Sequence, residues 1–205
     1  LSAGMTEALE PKDEHLVSLS KDGNLNAFNR LVERHQAAVY NLCFRLIGDR
    51  GAAEDATQEA FLSAFKAISR FDGGSFRSWI FRIAVNETKD ELRRRSRRPA
   101  DSLSLPGPEG EFELDLPDPA ESQDARVERL ALVSGLEAAL LELPLDQREA
   151  VVLSDVHGYH YEEIARMTGA NVGTVKSRIH RGRERLRALI SKQPELFGRG
   201  ERLDD

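Results

Sequence analysis

Apolar residues return at helical steps along most of this chain, and no segment shows the two-residue alternation of a strand. Phe28, Leu31, Val32, His35, Val39, Leu42, Cys43 and Leu46 recur at intervals of one, three and four, predicting a helix that stops at Gly48-Asp49. A second helix is predicted from about Ala52, with Ala56, Ala60, Phe61, Ala64, Phe65 and Ile68 turned inward. Glu54, Asp55, Gln58 and Glu59 cluster near its start. The adjacent glycines of Phe71-Asp72-Gly73-Gly74-Ser75 are poor helix material, so this stretch reads as a loop. A third helix is predicted over residues 76–95, FRSWIFRIAVNETKDELRRR.

The stretch YEEIARMTGANVGTVKSRIHRGRERLR, residues 161–187, has a different layout. A short amphipathic helix carrying Ile164, Ala165 and Met167 stops at Thr168-Gly169, and a second begins behind Asn171, a good capping residue. That second helix buries Val175, Ile179, Gly182 and Leu186, which leaves Lys176, Ser177, His180, Arg181 and Glu184 on the opposite face. Two helices joined by a short Gly-containing turn, the second studded with basic residues, form a helix-turn-helix fitted to the major groove. A solvated helical hairpin is the bland alternative. It is disfavoured because residues 176–187 hold six Lys/Arg against the single Glu184, in a chain of net charge -6. A local positive stripe on an acidic protein concentrates phosphate attraction in one place.

Between these halves the composition changes. Residues 101–124 hold eight Asp/Glu, no Lys or Arg, and Pro106, Pro108, Pro117 and Pro119. Such a segment buries too little apolar surface to offset its ordering entropy, which predicts a flexible, self-repelling tether. A negatively charged strand of this kind could lie in a basic channel meant for nucleic acid, or cover the chain's own basic helices. The fold class expected is therefore all-α: two small helical domains joined by an acidic flexible linker, the C-terminal one a helix-turn-helix. The boundaries are residues 5–98, a linker over 99–126, residues 127–190 and a tail over 191–205.

Length and composition narrow the class further. A chain of 205 residues with 31% charged and 6% aromatic residues suits a helical protein with modest cores rather than a membrane protein. No run approaches the roughly 18 apolar residues of a membrane span, and no signal peptide is read at the start, so the cytoplasm is expected. Residues 1–4, ahead of Met5, read as a remnant of tag removal and are given no part in the fold. Cys43, the one cysteine, lies on an apolar stripe and reads as a buried small hydrophobe.

The end of the third helix carries a second chemical signal. Lys89, Arg93, Arg94, Arg95, Arg97 and Arg98 stand against Asp90 and Glu91, and upstream Phe76, Trp79 and Phe81 lie among Arg77 and Arg82. Aromatics interleaved with arginine suit single-stranded nucleic acid, where bases stack on rings and phosphates meet guanidinium groups. For Trp79 and Phe81 taken alone, filling their own core is the simpler reading. The combination of basic helix, aromatic positions and a Gly-Gly loop that could admit a flipped base is what points to a strand.

With both motifs in view, the chain resembles a bacterial RNA polymerase sigma factor of the compact, two-domain extracytoplasmic-function group. AEDATQEAFLSAFKAISRFDGGSFRSWIFRIAVNETKDELRRR, residues 53–95, resembles the domain that docks on the polymerase clamp and opens the promoter. LPLDQREAVVLSDVHGYHYEEIARMTGANVGTVKSRIHRGRERLR, residues 143–187, resembles the domain that reads the upstream promoter element. The likeness spans nearly everything from about residue 13 to residue 189.

The resemblance implies roles residue by residue. Asp55, Gln58, Glu59 and Phe61 match the polymerase-binding helix. Phe71, Asp72, Gly73, Gly74, Ser75 and Asn86 match positions that hold a base flipped from the minus-ten element, with Arg77, Arg82 and Lys89 as phosphate or base contacts. Lys176, Ser177, His180 and Arg181 match the minus-thirty-five readers, and Thr174 and Arg178 match backbone anchors. The partners implied are core RNA polymerase, promoter DNA and an anti-sigma factor, with no membrane insertion, no cofactor, no metal and a monomer when free of polymerase. The linker would thread near the active-site and RNA-exit channels of the polymerase, which supplies the chemistry.

Departures from the family pattern carry their own expectations. His160 stands where Ser or Thr usually caps the first helix of the pair, which predicts a weaker or water-mediated start. Asn171 replaces the common Ser or Pro, and the loop after Phe71 is one residue shorter than in some relatives.

Two rival readings compete with this one. A two-domain transcription regulator that does not bind polymerase explains the helix-turn-helix but leaves residues 53–95 without work. A metal-dependent hydrolase is suggested by Glu54, Asp55 and Glu59 or by His157 and His160. Those carboxylates sit where the helix dipole favours negative charge anyway, and His157-Gly158-Tyr159-His160 lacks the i, i+4 geometry of a zinc pair.

Overall fold

The computed structural model describes residues 11–97 and 122–197, and every regular element among them is helical. The order is α1 (Asp13–Lys21), α2 (Leu25–Ile47), α3 (Arg50–Ala67), a 3-10 turn (Ile68–Arg70) and α4 (Phe76–Arg97). Then follow α5 (Gln123–Leu141), α6 (Leu145–Val151), a wider π-helical turn (Val152–Val156), α7 (Tyr161–Thr168), α8 (Val172–Ile190) and α9 (Pro194–Phe197). The acidic segment lies outside the described residues until Ser122. From Gln123 the last residues assigned to it already form α5, whose first turn Ser122 caps by accepting the Ala125 N–H at 3.2 Å.

In the first half, α2, α3 and α4 pack on one another, with α1 laid across α2. The α2 stripe is buried as its spacing predicts: Leu31, Val39, Leu42, Cys43 and Leu46 are fully enclosed, and only Val32 is half-buried. His35 lies on the same stripe, and its Nε2 meets Asp13 Oδ2 at 2.7 Å, tying α1 to α2. Ala53, Ala56, Ala60 and Ala64 form the inner face of α3, small enough to let its backbone approach both neighbours. Asn24 starts α2 by accepting from the Ala27 N–H at 3.1 Å, and Asp49 starts α3 by accepting from the Ala52 N–H at 2.9 Å. Such caps contribute about 1 kcal/mol each.

Phe65 departs from expectation. Its spacing predicts an inward side chain, yet it is 44% exposed and only edges onto the Phe28 ring, centroids 5.0 Å apart. A narrow Ala face already fills the space between α2 and α4, so Phe61 and Ile68 enter the core and Phe65 is left at its rim.

In the second half, α6, α7 and α8 enclose Leu143, Val152, Leu153, Ile164, Val175 and Ile179. Gly182 lets α8 cross α6 closely. A Cβ there would stand 2.6 Å from Val151 Cγ2 and 3.4 Å from the Gln147 carbonyl oxygen, so any side chain would push the helices apart.

The halves pack against each other. Arg148 of α6 donates to the Leu46 carbonyl at the end of α2 and to the Leu141 and Leu143 carbonyls. These oxygens belong to helix ends, or to the turn after one, where carbonyls lack intrahelical partners. Phe81 of α4 meets His157 and Tyr159 edge-on, with centroids 4.8 and 5.5 Å away. No helix among the described residues is long and apolar enough to cross a membrane.

Candidate nucleic-acid interface

Three surfaces gather the residues singled out in the sequence. The first is the outer face of α8. Asn171 caps this helix by accepting the Thr174 N–H at 2.7 Å, and Val175, Ile179 and Gly182 anchor it inward. Lys176, His180 and Arg181 are exposed on the far side, while Ser177 is half-buried and donates to the Thr174 carbonyl at 2.9 Å. His180 Nε2 lies 3.5 Å from Glu184.

Two arginines of α8 are held from behind. Arg178 Nε reaches Asp146 of α6 at 3.0 Å, and Arg183 grips Asp155 with two donors at 2.9 and 2.6 Å. The Arg183 pair holds the Asp155 carboxyl below its ordinary range even though burial opposes this. These acids fix guanidinium groups beside the face that would meet phosphates. Nothing in the spacing of the sequence marked either partner.

Helix α7 begins at His160, whose backbone N–H donates to the Glu163 carboxylate at 2.9 Å. The weak start expected from His160 is therefore reinforced by the acid three residues on, the reciprocal half of a capping box.

The second surface is the exposed side of α3. Asp55, Gln58 and Glu59 all face outward. Phe61, grouped with them by resemblance, is only 7% exposed and belongs to the core, so it can support this face but not touch a partner. An exposed apolar residue on the same side is Leu62 at 51%, a position the pattern did not single out.

The third surface runs from the Gly-Gly loop along α4. Phe71 is buried, with its carbonyl bonded to Lys21 Nζ and its ring 5.2 Å from Trp79, so it supports the loop instead of protruding. Asp72, Gly73, Gly74 and Ser75 are exposed, and Ser75 caps α4 through the Ser78 N–H at 3.2 Å. Trp79, Arg82, Asn86 and Lys89 follow at steps of three and four and so share a face. A cleft of about 330 Å³ is lined by residues 71–75, Ser78, Trp79 and Arg82, and opposite them by Glu163, Arg166 and Met167 of α7. Asn86 does not line it; it is exposed one turn beyond.

Several basic groups expected on this surface are engaged. The Arg77 guanidinium lies 4.9 Å from the Phe81 centroid and 5.2 Å from that of Tyr159. Lys89 Nζ is 3.1 Å from Glu149, whose side chain is 2% exposed and whose carboxyl burial pushes up despite that lysine. Further along, Arg93 pairs with Asp90, Arg94 with Glu91, and Arg95 with both Asp49 and Glu91. Arg97 is exposed, and Arg98 lies outside the described residues.

Residues 31–98 match the family description Sigma-70 region 2, and residues 135–186 match Sigma-70, region 4. The ECF RNA polymerase sigma-E factor of Escherichia coli is 38% identical over 193 residues, covering 91% of this chain and 97% of that one.

The chain belongs to the ECF RNA polymerase sigma factors.

Other members agree. The ECF sigma factor SigE of Mycolicibacterium smegmatis is 38% identical over 189 residues, with 90% of this chain and 71% of that protein covered. SigW of Bacillus subtilis is 36% identical over 173 residues, 83% and 92% covered. Among solved structures, the sigma factor RpoE of Bartonella quintana, in complex with the anti-sigma factor NepR, superposes with a TM-score of 0.63 at 27% identity. It covers 82% of this chain and 98% of its own. CnrH, in complex with the cytosolic domain of CnrY, gives 0.63 at 28% identity, with 88% and 97% covered. In this ECF sigma factor the loop and α4 thus fall in region 2, and α8 in region 4.

Proposed function

We propose that this chain is a transcription initiation factor that binds core RNA polymerase and directs it to specific promoters. Helix α8 reads the minus-thirty-five element in duplex DNA through Lys176, Ser177, His180 and Arg181, with Thr174 and Arg178 setting register on the backbone. The loop over residues 72–75, with Trp79, Arg82, Asn86 and Lys89, holds the melted minus-ten strand, and Arg77 joins it when Tyr159 moves away. Asp55, Gln58 and Glu59 dock on the polymerase. The domains follow the sequence reading, with residues 5–98 for docking and melting and 127–190 for upstream recognition.

The observation that carries this reading is the presence of both sigma regions in one chain, each underlying a separate surface of the required chemistry. A regulator that ignores polymerase would use α8 but not the outward acids of α3. The polymerase performs the chemistry, so the chain works without a catalytic group, metal or cofactor of its own, in the cytoplasm where polymerase and DNA meet. The sigma factor RpoE of Bartonella quintana, solved with the anti-sigma factor NepR, supports control by an anti-sigma factor here as well.

Capture by core enzyme tests the reading. Reversing Asp55 and Glu59 to Lys is expected to abolish co-elution with core polymerase while leaving thermal stability nearly unchanged. A large drop in melting temperature would assign those acids to stabilising the start of α3 instead.

A further inference from the structure

We propose that α1 aims the Gly-Gly loop: Lys21, in the last turn of α1, is a positioning residue for residues 72–75 and thereby for base preference in the minus-ten element. This rests on the reading that those residues hold an extruded base. Helix α1 itself stands ahead of the residues that match region 2.

The loop cannot aim itself. Gly73 and Gly74 stand at φ +106° and +84°, and no other part of the chain comes within 4 Å of where either Cβ would be. Nothing beside them restricts the backbone, and glycine restricts itself least of all residues. The direction of the loop is therefore set at its two ends. At one end Ser75 accepts the Ser78 N–H at 3.2 Å, which ties it to α4. At the other, the Phe71 N–H donates to the Ile68 carbonyl at 3.1 Å, and the Phe71 carbonyl accepts from Lys21 Nζ. The same ammonium lies 5.7 Å from the centre of the Phe71 ring. Both peptide groups that flank Phe71 are thus fixed, the second of them by α1.

Lys21 can hold the loop because the opposite end of α1 is bolted to α2. Asp13 meets His35 Nε2 at 2.7 Å and Arg34 Nη1 at 2.6 Å, and Leu16 and Val17 are buried in the core. The His35 ring stands 5.4 Å from Phe76, the first residue of α4. Phe71 in turn packs on Phe76 and Trp79, with centroids 6.4 and 5.2 Å away. One helix therefore holds the start of the loop and, through His35, the aromatic floor beneath it. Lys21 is exposed, so its bond to one carbonyl adds little to folding. Its effect is on direction.

Holoenzyme reconstituted with core polymerase should select templates from a pool whose pre-melted minus-ten segment is randomised. The unaltered chain should enrich one base at the captured position. Lys21→Met keeps the stem but loses the donor, and it should lower that enrichment about tenfold. Lys21→Arg should restore it. Both variants should keep their melting temperature and their capture by core polymerase. Enrichment as sharp for Lys21→Met as for the unaltered chain overturns the inference. So does weaker binding of every template with the preference intact, which would make Lys21 a plain phosphate contact. A lower melting temperature with loss of core capture also overturns it, since a cation in the last turn suits the dipole of α1 and that role is structural. Relaxed preference for Asn86→Ala but not for Lys21→Met defeats the role of Lys21 alone. An unaltered holoenzyme that selects no base defeats the capture reading as well.

Discussion

The outer face of α8 and the exposed stripe of α4 are both basic helix surfaces, yet they stand in opposite states. On α8 the acids Asp146 and Asp155 lie behind the helix and brace arginines at its sides, leaving Lys176, His180 and Arg181 exposed. On α4 the acid Glu149 and the ring of Tyr159 come from the other half of the molecule and take Lys89 and Arg77 from the front. Equal local charge therefore does not mean equal availability. What separates the two is whether the compensating group comes from the same half of the molecule or from the other half.

The largest effect on that contrast should come from acid. Burial, then the charges of Arg77 on α4 and Arg45 on α2, lower the His157 pKa from 6.5 to about 4. Both arginines and the Phe81 ring belong to the first half, so their part of this shift requires the halves to be packed together. The closed form binds fewer protons. Its His157 contribution is full above pH 6.5 and is lost as pH falls toward 4. A shift of that size corresponds to roughly 3 kcal/mol, at about 1.4 kcal/mol per unit. Glu149 and Glu137, whose carboxyls burial pushes upward, titrate in the opposite sense. The measurement is accordingly a difference. Trp79 emission followed from about pH 7.5 to about pH 4.5, starting above the ordinary value of 6.5 and descending most of the way to about 4, should show opening that a His157→Gln variant lacks. Identical profiles would remove His157 from the contact's energetics.

A smaller effect separates reading from anchoring on α8. Arg181→Ala should cost about 1–3 kcal/mol at a cognate upstream element and relax preference at one base position. Arg178→Ala should weaken cognate and scrambled duplexes alike and flatten the salt dependence, since Asp146 holds it beside the proposed base-reading face. If both changes weakened all sequences equally, base reading by this face would have to be abandoned.

The elements themselves were legible because their cores are local. The spacing of Leu31, Val39, Leu42 and Leu46 set α2, and Asn171 with Val175 and Ile179 set α8, from residues a few positions apart. The α8 face was legible for the same reason, being simply what remains when the apolar stripe is buried. Phe61 and Phe65 were harder, because the wide apolar face of α3 does not say which ring enters a core already filled by alanines. The covering of α4 had no signal of this kind. His157 to Tyr159 reads as a turn, Glu149 as an ordinary helix acid and Arg148 as a solvated base, and only the docking of the halves gives them partners. The reinforcement of α7 is visible in the sequence as an acid three residues after His160, which offsets the poor capping residue.

Transcription by reconstituted holoenzyme on duplex and pre-melted templates most directly tests whether one surface captures the strand while the other finds the duplex. Gly73, at φ +106°, cannot be matched by proline, which holds φ near about −65°. Asn86→Ala with Gly73→Pro therefore alters the proposed capture surface and leaves α8 untouched. Recruitment through the upstream element should stay largely intact and open-complex formation on duplex should fall. A template carrying a pre-melted bubble should restore much of the transcription, because unstacking, worth a few kcal/mol, no longer needs to be offset. Equal loss on duplex and bubble templates would place the defect in folding or polymerase docking and contradict the assignment of strand capture to α4.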